Sequence, residues 1–275
     1  MTPTTKIYDP HAARGVSGFL SDLWVGLSMV ELWRAFAWDE IQHRYRRSAL
    51  GISWIVLSFL MFVAGVSFFF AGFSGRGVES FVAYVAIGYA AFIFITGNFV
   101  DGCQVFTSSS VWIKAVSLPY SVHVYRSLFR SLLTFFLQMV VVIPILVWAG
   151  IRPGAVTLLF VPAVLVYLLN AVAVQYLLGL VAARFQDIGH LVTSIVRLMI
   201  FVTPILWVRE GLEGARALAA DLNPLTHYVE IFRAPLLGEM PRSTSWLVVV
   251  VLTVAVWGVV AMVAAAFRRR LPYWL

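Results

Sequence analysis

The chain has 275 residues, 61% of them apolar and only 12% charged, with a mean hydropathy of +0.90. Soluble domains carry about 25% charged residues, so composition excludes an ordinary soluble fold and points to an integral membrane protein. The formal net charge is +7; its basic residues flank apolar runs, so the charge reads as membrane topology rather than as a nucleic-acid surface.

In chain order, residues 1–20 read as a flexible N-terminus. No apolar stretch follows its charges, so it does not read as a cleaved signal peptide. Residues 21–51 read as an amphipathic interfacial helix followed by a basic segment. Leu27, Val30, Trp33, Ala37 and Ile41 recur at helical spacing, opposite Ser28, Glu31, Ala35, Asp39, Gln42 and Arg46. Trp24, Trp33 and Trp38 suit a membrane interface, although a helix packed on its own protein gives the same pattern. Arg44, Arg46 and Arg47 then stand directly before an apolar run, which marks the cytoplasmic side of a bilayer.

Residues 52–267 read as a six-helix membrane domain, each span needing about 20 apolar residues. The runs are 52–73, 80–100, 131–151, 154–183, 191–208 and 245–267. The fourth is too long for one straight helix and carries Pro162, so it predicts a tilt, a kink or a protruding end. Lys114 and Arg126, Arg184, and the tail 268–275 with Arg268, Arg269 and Arg270 lie on the side of the arginine cluster. The first and third connections hold only Arg76 and Arg152, and the fifth, 209–244, balances both signs. This asymmetry puts both termini in the cytoplasm and the fifth connection outside. That connection predicts a short helix over 212–222, a break at Asn223 and Pro224, and a second helix over 225–237. Such a pair reads as a re-entrant hairpin that caps or lines a pathway, or as a surface hairpin.

The chemistry of catalysis is absent from the pattern. Five scattered histidines and one cysteine give no metal-ligand spacing, and there is no catalytic cluster. The phosphate-binding loop of an ATPase is also missing, so ATP-driven transport requires ATP and Mg on a separate subunit. Polar residues within the runs are Asn98, Asp101, Gln138, Asn170, Gln175 and Arg197. A proton relay wants several deep carboxylates and only Asp101 qualifies, so Gln138, Asn170 and Gln175 read as interhelical hydrogen bonding. Arg197 is expected to snorkel or to pair with a carboxylate, Asp187 being one choice. Aromatic faces that line a channel could slide past sugars. The candidates are Phe68, Phe69, Phe70, Tyr84, Tyr89, Phe92, Tyr228 and Phe232, against the alternative of lipid contact or packing.

These segments resemble a family. Arg44-Tyr45-Arg46-Arg47-Ser48, with Leu50, Gly51 and Trp54, resembles the start of the first span in permeases of ATP-binding-cassette polysaccharide exporters. That family exports O-antigen, capsule or teichoic acid chains. Lys114-Ala115-Val116-Ser117-Leu118-Pro119, Arg184-Phe185-Gln186-Asp187-Ile188, and Thr203-Pro204-Ile205 with Asn223-Pro224-Leu225 resemble its later segments in order and spacing. The resemblance spans about residues 20–267. One departure is Ser58-Phe59, where relatives often carry proline.

The resemblance implies a bacterial inner-membrane permease that pairs with a second copy and with two ATPase subunits to export a lipid-linked polysaccharide. It implies ATPase coupling through Lys114, Ser117, Leu118, Pro119, Arg184 and Asp187. Arg44, Arg46 and Arg47 are candidates for the lipid-linked phosphate, since arginine binds phosphate bidentately; a topogenic anchor on anionic lipid is the alternative. The rival functions are export of a small hydrophobic drug or lipid, and a membrane-embedded enzyme or scaffold.

Overall fold

The computed structural model describes residues 15–46, 48–209 and 213–275, and the regular elements among them are all helical. In chain order they are α1 (Gly15–Ser28), α2 (Val30–Tyr45), α3 (Ser53–Phe70), α4 (Val78–Gln104), α5 (Ser110–Ala115) and α6 (Tyr120–Trp148). There follow α7 (Phe160–Arg184), α8 (Asp187–Val202), α9 (Gly214–Leu222), α10 (Pro224–Leu236), α11 (Ser243–Phe267) and α12 (Leu271–Trp274). Helices suit this composition because each satisfies its own backbone hydrogen bonds, which a hydrocarbon surrounding cannot do.

Among the described residues, five helical stretches are long and apolar enough to cross a membrane: Ser53–Phe73, Val78–Gln104, Tyr120–Trp148, Ala155–Arg184 and Ser243–Trp274. The run at 191–208 does not make a sixth of that length. Its helix, α8, has 16 residues, about 24 Å at 1.5 Å per residue against a hydrocarbon core of about 30 Å. The cause is local. Pro204 disfavours helical backbone at the residue before it, and Thr203 is extended (φ −82°, ψ 134°).

Two other starts differ from expectation, those of α6 and α1. α6 begins at Tyr120, well before the predicted start at 131, because Arg126 and Arg130 lie inside the helix with carboxylates beside them. The fourth run is not one straight helix: a 3₁₀ turn, Ala155–Leu159, leads into α7, and Pro162 falls in the first turn of α7, where a missing N–H is harmless. At the amino-terminal side α1 starts at Gly15, within the stretch read as a flexible terminus, and Met29 separates it from α2. α1 packs on α6 and α11, and α2 on α6.

The interior is built around α4, which touches α3, α6, α7, α8 and α10. Fifteen of its 27 residues are buried. Its seam with α7 is tight because glycine stands at the crossing. A Cβ on Gly102 would lie 2.9 Å from Gln175 Cα, and one on Gly179 would lie 2.6 Å from Val105 Cγ1. Across that seam Gln175 Nε2 donates to Asn98 Oδ1 at 2.5 Å. Asn170 on α7 donates to Thr253 Oγ1 on α11 at 2.8 Å. Both are the interhelical bonds expected of amides inside a bundle. Gln138 is also buried, but its Oε1 finds no partner among the described residues.

Candidate functional site

Three groups of residues bear on function. The first surrounds α10. Asn223 ends α9 and begins α10: its side chain accepts the Leu225 N–H at 3.0 Å, and Pro224 occupies the first helical position. Asn223 Nδ2 also donates to Thr203 Oγ1 at 2.8 Å, tying this break to the end of α8. α10 is buried at nine of its 13 residues and lies among α4, α7 and α11. Arg233 is buried within it. Its Nη1 donates to the Pro204 carbonyl at 2.6 Å, and its guanidinium lies 3.7 Å from the centre of the Tyr84 ring. Tyr84 donates to the same carbonyl at 3.2 Å. The non-helical backbone after α8 is thus held by two side chains from other elements. In the sequence Arg233 is one charge in a loop of mixed sign, and the apolar residues around it are the signal of its burial.

Beside this node, Arg209 Nε donates to Asp221 at 3.0 Å, and this hydrogen bond holds the Asp221 carboxyl below its ordinary range. His227 bridges Ser245 Oγ at 2.9 Å and the Asp221 carbonyl at 2.8 Å.

The second group is the outward surface of α3 and α8. No residue of α8 is buried. His190, Ser194, Arg197 and Phe201 are all exposed, at spacings of four, three and four residues that align them on one side of the helix. Arg197 does not pair with Asp187, from which ten residues of helix separate it by about 15 Å. Phe68 and Phe69 on α3 are exposed as well, at 83% and 69%. The remaining aromatic candidates sit elsewhere. Tyr84, Phe92, Tyr228 and Phe232 are buried inside the single chain, and Tyr89 stacks on Phe62 at 3.7 Å. Phe70 on α3 is exposed too, so the eight aromatic candidates divide between an outer face and an inner packing role.

The third group lies at the end of the bundle that carries the basic residues. Glu40 of α2 pairs with Arg126 at 3.6 Å and with Arg130; Arg130 also pairs with Asp101 at 3.0 Å. Asp101, the one carboxylate read as deep, is thus spent in an ion pair. Arg44 is exposed and lies 3.8 Å from Glu40, Arg46 is exposed, and Arg47 lies outside the described residues. Lys114 and Ser117 are exposed, Leu118 is half-buried and Pro119 is buried against the start of α6. Arg184 and Asp187 are exposed and line a groove of about 510 Å³ with Tyr273 and Trp274. α12 touches both α5 and α7, so the two predicted coupling connections converge at this end.

The family model described as ABC-2 type transporter matches residues 31–237, which is 207 of the 275 residues. The O-antigen export system permease protein RfbA of Myxococcus xanthus is 24% identical over 197 residues, covering 71% of this chain and 76% of that protein.

Proposed function

The chain belongs to the ABC-2 type transporter family, and from that premise we propose that it is the permease of an exporter that moves a lipid-linked polysaccharide, of O-antigen or capsule type, across the cytoplasmic membrane. It is a multi-pass membrane protein, and membership implies work with an ATP-binding-cassette ATPase subunit. ATP and Mg bind to that subunit, present in two copies beneath two copies of this chain.

The observation that carries the reading is the exposed stripe on α8. An arginine facing lipid near the bilayer centre costs about 2.5–3.5 kcal/mol on insertion scales. Arg197 with Ser194 and His190 is better accommodated by water or by a partner chain. Two copies with their α3 and α8 faces opposed would enclose a polar path edged by Phe68 and Phe69. In this arrangement α8 is a short fifth span that brings the total to six, and the backbone after it completes the crossing under cover of Arg233 and Tyr84. The pair α9 and α10 is then a re-entrant hairpin at the outer end, and both termini face the cytoplasm. Arg44 and Arg46 stand at the cytoplasmic mouth, where bidentate contact to a pyrophosphate is available, and Arg47 adjoins them in sequence. The printed name of the Myxococcus xanthus relative supports the cargo class.

The test is reconstitution with the cognate ATPase in proteoliposomes. The reading expects ATP-dependent movement of labelled lipid-linked polysaccharide, lost in Arg197→Leu with hydrolysis retained. Movement of a small hydrophobic dye with the glycan left behind would overturn it.

A further inference from the structure

Asp22 is a carboxylate with no exposed surface, on a helix that precedes the family match. Its two oxygens accept the N–H groups of Tyr120 and Ser121, each at 3.0 Å. Those are the first two residues of α6, whose N–H groups have no partner within the helix itself. The Tyr176 hydroxyl of α7 lies 3.4 Å from Oδ2, and Arg268, just past α11 and 3% exposed, lies 3.8 Å from Oδ1. Arg268 also donates to the Gly18 carbonyl of α1. Around this centre, Ser121 Oγ donates to the Asp22 carbonyl at 2.6 Å and Tyr125 to the Leu23 carbonyl at 3.1 Å. The approach is close enough that a Cβ on Gly26 would stand 2.0 Å from Ser121 Oγ. One side chain therefore gathers α1, the start of α6, α7 and the end of α11.

The place of this node matters. Residues 114–119 run directly into Tyr120, and Pro119 is the last residue before α6. A buried charge pair is weak evidence for stability, because its desolvation cancels much of its attraction. Its firmer consequence is geometric: the oxygens hold the α6 terminus in one orientation relative to three other helices. We infer that Asp22 is a positioning residue for transport, through which displacement of residues 114–119 by the ATPase moves α1, α6, α7 and α11 as one body instead of bending α6 alone. This rests on the reading of residues 114–119 as an ATPase contact.

The experiment uses the whole permease–ATPase complex in proteoliposomes and compares ATP hydrolysed with polysaccharide moved. Asp22→Asn keeps the side-chain size but loses the charge beside Arg268 and one N–H acceptor. The expected result is an assembled complex with hydrolysis within about twofold of the original, and transport per ATP lowered roughly tenfold or more, as loss of a charge-assisted bond suggests. Parallel loss of hydrolysis and transport, or no loss of either, overturns the inference. If Asp22→Asn does not assemble, Arg268→Lys is measured in the same way; failure of both to assemble makes the node structural only and overturns the inference too. Lys114→Glu, run alongside, separates the two readings. If it leaves ATPase association intact, the contact assignment is wrong, and with it the proposed route from the ATPase to Asp22. If it weakens association while Asp22→Asn transports normally, the contact stands and the positioning role fails.

Discussion

α4 and α8 both read from sequence as spans, yet the structure treats them as opposites. α4 has 27 residues, fifteen of them buried, and touches five other helices of the bundle. α8 has 16 residues, none buried, and contacts mainly α4 and α7. The polar groups follow the same division. On α4, Asn98 is sealed by Gln175 and Asp101 by Arg130. On α8, His190, Ser194 and Arg197 face outward. Apolar content alone therefore does not separate scaffold from wall; partners do.

The comparison breaks first at glycine. Gly179→Val forces side-chain atoms into Val105 and the Phe106 ring, where a Cβ already stands 2.6 and 2.7 Å away. Overpacking of this kind costs about 1–3 kcal/mol or more, so folded yield and thermal midpoint should fall sharply. Gly189→Ala on α8, whose nearest atom would be Cys103 Cβ at 3.8 Å, should leave both near the original. Next comes the amide pair. Asn98→Leu leaves buried Gln175 without its acceptor, a loss of about 1–3 kcal/mol, measured as a lower midpoint in detergent. Ser194→Ala on the open face should not move the midpoint. The smallest effect concerns Asp221, which lies near the far end of the bundle from Asp22. Its carboxyl is held low by the Arg209 hydrogen bond, so its contribution is present above the carboxylate's ordinary range and is lost as pH falls through the lowered folded value. Because the side chain is 41% exposed and screened by solvent, Asp221→Asn should produce only a slight, salt-sensitive flattening of the stability–pH curve in mild acid.

Much of this architecture was legible. Apolar runs located four of the five long helices within a few residues and missed the first eleven residues of α6, and Asn223 with Pro224 located the junction of α9 and α10. What was hidden depended on partners remote in sequence. Arg126 and Arg130 looked like loop charges because Glu40, some ninety residues earlier, neutralises them inside the bundle. The shortness of α8 was hidden because 203–208 is apolar even though Pro204 stops the helix. Asp22 gave one faint signal, an acid in an otherwise apolar stretch around Phe19, Leu20, Leu23 and Val25, but its hydrogen-bond partners lie 98 or more residues away. The basic cluster at Arg44, Arg46 and Arg47 is the sequence signal for orientation, and the structure adds to it the pairing of Arg44 with Glu40.

The most direct test of the wall assignment is cysteine accessibility in a Cys103→Ala background, with a membrane-impermeant thiol reagent applied to the assembled transporter. Cysteines at positions 190, 194 and 197 of α8 should be modified, and added lipid-linked polysaccharide should protect them, while cysteines at 91 and 98 of α4 should stay unreacted. Silence at all three α8 positions, or reaction there that the polysaccharide does not protect, would contradict α8 as the wall of the export path.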